Sequence, residues 1–151
     1  MTKLGEFFQA THTNLHTVFY PTHFVFASFR SGELAEQAQR ALVANGFLPT
    51  DMHVARGEEV KAFFDEFRSE KGAFGKFMRG LASDTEAKYC DLNMERAQAG
   101  AGFVAVRCLS EEQSHRIQQS VREFSPLGVQ WYRSIVIETL ASAAEKQQEC
   151  A

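Results

Sequence analysis

The stretch that most constrains this chain is Ala101–Cys108, AGFVAVRC. Six of its eight residues are apolar, and Gly100 and Gly102 stand at its start. A short apolar run bounded by glycine reads as a buried strand, because a strand of this length that faced water on one side would alternate. Ser110-Glu111-Glu112-Gln113 follows at once. It is a capping box, in which the serine hydroxyl and the Gln113 amide satisfy the first free N–H groups of a helix. The other elements make sense as cover for this strand.

A second strand is expected over His23–Phe29, HFVFASF. Phe24 and Phe26 fall on one face while Val25, Ala27 and Phe29 fall on the other, so both faces are apolar. The chain carries 14 phenylalanines against one tryptophan and three tyrosines. So much aromatic surface predicts helices over one face of the sheet, with the other face partly closed by a second copy of the chain.

Between these strands the pattern is regular. Ser31-Gly32 opens a helix in which Leu34, Ala38, Ala41 and Leu42 share a face, and Asn45-Gly46 closes it. Pro49 turns the chain into a short strand over Met52–Arg56, completing a β-α-β unit. Val60, Phe63, Phe64 and Phe67 then repeat at helical spacing. The run KGAFGKFMRGL after them interleaves Lys71, Lys76 and Arg79 with glycine but fits no phosphate-binding motif. It reads as a flexible phenylalanine-rich cover. Ser83-Asp84-Thr85-Glu86 caps a further helix to about Gln98. After the central strand, Ile117, Val121 and Phe124 mark a helix stripe, and Val129–Glu138 is expected as one last, long strand.

Residues 1–22 carry an amphipathic helix ended by Pro21. Leu4, Phe7, Phe8, Leu15, Val18 and Phe19 lie within about 120° of one another at helical period. One α/β domain spans 23–140, with a helical insert at 57–82, and 141–151 is a polar tail.

Composition narrows the function classes. Hydrophobic residues make up 44% and charged residues 23%, as in a globular protein, and the net charge is −3. An acidic balance gives no general attraction to nucleic acid or to anionic lipid. The G-F-V fragment of Gly102–Val104 lacks the basic residue and second aromatic of an RNA-stacking strand. No apolar run approaches the roughly 20 residues that cross a bilayer, and no leader segment is expected at the N-terminus. Cys90, Cys108 and Cys150 are too far apart for a zinc site or a disulfide framework. Neither a cofactor nor a metal is expected, and cytoplasmic residence follows from this reading.

Candidate site residues are few. His53, Tyr89, Arg107 and Tyr132 are polar groups able to line a pocket between the sheet and the insert. His53 has no serine, cysteine or carboxylate near it in a recognised catalytic arrangement, so no catalytic residue is assigned. His12 and His16, at i and i+4, could pinch a metal, although no third ligand is in sight.

The order of elements, the helix Ala35–Phe47 (AEQAQRALVANGF), Tyr89, and the glycine-led strand Gly100–Arg107 together resemble the bacterial heat-induced general stress protein domain. The resemblance runs over about residues 23–138. It departs in the helix before Pro21 and in the phenylalanine-rich insert. It implies an α+β, ferredoxin-like α/β sandwich of split β-α-β repeats, here with a helical insert and an extra N-terminal helix. It also implies a small cytoplasmic, stress-related and non-catalytic module, and carries over no catalytic residues. The expected behaviour is self-association as a homodimer or higher homo-oligomer. The alternative is a small-molecule-binding protein or enzyme with its pocket under the insert.

Overall fold

The computed structural model describes residues 3–10, 23–65, 84–133 and 137–142. The elements are α1 (Lys3–Ala10), β1 (Phe24–Phe29), α2 (Gly32–Ala44), β2 (Met52–Arg56), α3 (57–65), α4 (Asp84–Gln98), β3 (Gly102–Arg107), α5 (Glu111–Val121), β4 (Gly128–Tyr132) and β5 (Ile137–Ser142). The five strands form one antiparallel sheet in the order β2-β3-β1-β4-β5. The fold is α+β.

Local chemistry explains the boundaries. The Ser31 hydroxyl accepts the Leu34 N–H at the start of α2, and Ser110 does the same for Gln113 at the start of α5. Gln113 Oε1 reaches back to accept the Leu109 N–H at 2.7 Å. The side chains of Ser110 and Gln113 thus each accept one backbone N–H at the start of α5, although the Gln113 bond comes from Leu109, one residue before the cap. Ser110→Ala is expected to lower stability by about 1 kcal/mol, read as a shift in the midpoint of urea unfolding. An unchanged midpoint would show that this cap adds nothing. At the far ends of α2 and α4, Gly46 and Gly100 adopt φ of +97° and +93°. Each reverses the chain so that the next residue's N–H bonds back into the last turn, Phe47 to Leu42 and Ala101 to Arg96. Glycine takes this conformation without a Cβ penalty.

Two cores flank the sheet. On one face Val25, Ala27 and Phe29 of β1, with Val104 and Val106 of β3, pack against Ala35, Ala38 and Leu42 of α2 and Ile117 and Val121 of α5. On the other, Phe24, Phe26, Phe103 and Ala105 pack against Leu4 of α1, Val60, Phe63 and Phe64 of α3, and Met94 and Ala97 of α4. Phe24 and Phe26 are at most 2% exposed. The chain therefore covers its second face with its own helices, where a second subunit was expected. The sequence pattern showed that this face is buried; it did not show by what.

Two further differences concern the C-terminal part. The run expected as one strand from Val129 is two: β4 ends at Tyr132, and β5 folds back on it with Tyr132 opposite Ile137. Alternation of apolar residues continues through both strands, and no Asn-Gly or Asp-Gly pair marks a reversal. Hence the sheet has a fifth strand, which includes the first residues of the expected tail. The remainder of that tail, Phe67, and the glycine-rich half of the insert lie outside the described residues.

Candidate functional site

The faces of the strands decide which expected site residues can meet. On the face under α1, α3 and α4, one row across the sheet reads His53, Ala105, Phe26, Gln130. The next row reads Arg107, Phe24, Tyr132. His53, Arg107 and Tyr132 thus share a face, but the buried rings of Phe24 and Phe26 separate Tyr132 from the other two. Tyr132 is 1% exposed within the apolar cluster, whereas Arg107 is exposed at the end of β3. These three do not form one pocket. Tyr89 lies on α4, and its side chain is outside the described residues, as are His12 and His16.

His53 has a partner that sequence spacing did not reveal. Its Nε2 lies 3.1 and 3.2 Å from the two carboxylate oxygens of Glu59 on α3. Phe7 of α1 stacks on the imidazole, with centroids 5.6 Å apart and planes 24° apart, and meets Phe24 edge-on. The ring is held from two sides by elements that are distant in sequence. Around it a shallow surface cleft of about 640 Å³ is lined by Lys3, Glu36, Arg40, Arg56 and Glu59. Arg56 and Glu36 pair within the cleft at 3.1 Å. Cations and carboxylates alternate there, so the cleft presents no single sign of charge to a ligand. Among the described residues no group of three or more metal-ligating side chains occurs. No described helix is long and apolar enough to cross a membrane.

The more unusual chemistry lies on the same sheet face beneath α4. Arg96 reaches over the end of β1, where Nη1 donates to Ser28 Oγ at 3.0 Å and Nη2 donates to the Leu127 carbonyl at 3.1 Å. Both acceptors are neutral. Burial lowers the guanidinium pKa, and only the neighbouring Glu95 acts in the opposite direction. Among the described residues no carboxylate pairs with Arg96, and a half-buried cation held only by neutral acceptors loses hydration and regains little.

Around Arg96 the surroundings are polar and closed. Ser28, Asn93 and Gln130 are each at most 2% exposed. The Asn93 Nδ2 has no hydrogen-bond partner. Asn93 and Arg96 stand at i and i+3 on α4, which places them on one face of the helix. Gly128 makes room for Arg96 and Gln130: a Cβ there would stand 2.5 Å from Arg96 Nη1 and 2.9 Å from Gln130 Nε2. Any side chain at 128 would push these two polar groups aside.

Sequence reasoning missed this cluster. Its one signal was the polarity of α4, DTEAKYCDLNMERAQ, a helix that nevertheless buries Met94 and Ala97. A weakly amphipathic helix over a core carries polar groups inward. Compared with known protein families, curated proteins and solved structures, the chain matches none.

Proposed function

We propose that this chain is a small, non-catalytic binding module of the ferredoxin-like kind, which holds a small molecule against the sheet beneath α4. The ferredoxin-like reading is supported by the strand order. β1-α2-β2 and β3-α5-β4 are two split β-α-β units, each with one strand of the other unit between its own pair. The resemblance to the heat-induced general stress protein domain adds a cytoplasmic, stress-related setting.

One observation carries the binding reading: the Asn93 amide is fully buried with its Nδ2 unpaired, one turn from the half-buried Arg96 guanidinium, whose two hydrogen bonds both go to neutral acceptors. Buried polar groups in folded proteins are nearly always paired, so an unpaired one calls for an explanation, and a bound ion or ligand is one. Self-association loses its first motive, since Phe24 and Phe26 are covered within one chain.

Native mass spectrometry of the freshly purified 17.0 kDa chain tests this. The expected result is a monomer carrying a reproducible small added mass that is lost on denaturation. A bare chain mass, with no stabilisation by any compound in a thermal-shift screen, would overturn the binding reading. A bare dimer would restore the self-association module.

A further inference from the structure

We infer that Arg96 and Asn93 form the anion-binding end of this site and take a carboxylate or phosphate group of the ligand. The inference rests on the binding reading above and adds the chemical class of what binds.

Three features carry it. First, Arg96 is a fork of five N–H donors suited to paired oxygens. Ser28 Oγ and the Leu127 carbonyl take two of them, and both are neutral. Second, Asn93 lies one turn earlier on the same face, 1% exposed, with Nδ2 unpaired. What it lacks is an acceptor, and an oxyanion is an acceptor alone. Third, the missing Cβ at Gly128 keeps space for the guanidinium and the Gln130 amide. The first two features present donors, with the positive charge of Arg96 beside the unpaired Asn93 amide. A neutral or cationic ligand group would leave the guanidinium as poorly compensated as it is now.

The opposing reading makes Arg96 a structural clamp that ties α4 to the junction of β1 and β4. The two readings differ in their response to anions. Acetate and inorganic phosphate are each titrated into the full chain by calorimetry and followed by thermal unfolding, with chloride at equal ionic strength as the control. At least one of them is expected to raise the unfolding temperature above the chloride value, acetate alone indicating a carboxylate and phosphate alone a phosphoryl group. Arg96→Gln is expected to weaken that binding at least about tenfold, since it removes a charge-assisted pair.

Asn93→Asp provides a second, independent arm in case Arg96→Gln folds poorly. It places a carboxylate one turn from Arg96, where it acts as an internal ligand. The expected result is a higher unfolding temperature in chloride and no further response to acetate or phosphate. The inference is overturned if wild type responds to neither probe beyond chloride, or if Arg96→Gln or Asn93→Asp responds as wild type does. A co-purifying neutral molecule retained by Arg96→Gln would leave the binding reading intact and remove the oxyanion.

Discussion

Phe103→Ala is expected to lower the stability of this protein by about 3–5 kcal/mol. Phe103 sits on β3, between β1 and β2, is fully buried, and stacks on Phe26 with centroids 5.3 Å apart and planes 18° apart. Truncation loses the burial of a ring and leaves a cavity that the central strands cannot collapse into. Against a total of roughly 5–15 kcal/mol for a domain, most molecules would be close to unfolding at modest urea. The measurement is the urea midpoint at unchanged slope. It also decides who covers this face. If α1, α3 and α4 are the cover, the loss is the same at every protein concentration. A loss that shrinks as concentration rises would mean that a second subunit contributes. A loss below about 1 kcal/mol would refute the packing described for this face.

Gly102→Ala is expected to cost about 2–3 kcal/mol although it adds a single carbon. A Cβ at 102 would lie 2.6 Å from the Ser31 carbonyl oxygen, 2.7 Å from the Gly32 Cα and 2.9 Å from the Ala35 Cβ. Two of these are backbone atoms of the α2 start, so no side-chain rotation relieves the contact. The helix must lift from β3, weakening the packing of Ala35 and Ala38 beneath it. Thermal unfolding reads the loss. A variant as stable as wild type would show that α2 does not approach β3 so closely.

Much of the fold was legible in the residues, and the reasons are local. The caps at Ser31 and Ser110, the reversals at Gly46 and Gly100, and the strands at Phe24, Met52 and Gly102 each depend on a few neighbouring side chains. The break between β4 and β5 depends on a reversal without turn chemistry, so alternation ran through it unmarked. The cover of the Phe24 face was hidden for a different reason. An apolar strand face states that it is buried, and many surfaces can bury it. Of the candidate site, His53 was legible as a polar group next to the insert, but its partner Glu59 and its stacking ring Phe7 come from opposite sides in sequence. Arg96 and Asn93 were passed over because polar residues on a helix ordinarily face water. Only the packing of α4 shows that Asn93 is buried and Arg96 half-buried.

The placement of β1 has a consequence for how the protein is made. This strand is near the N-terminus, yet its neighbours on both sides are β3 and β4, which begin at Gly102 and Gly128. On the ribosome, FVFASF therefore emerges early and waits for most of the chain before either of its edges is paired. During that interval a strongly apolar strand with two free edges is open to the edges of other nascent chains. The time between synthesis of β1 and of its two neighbours is therefore the interval in which mispairing competes with the native sheet.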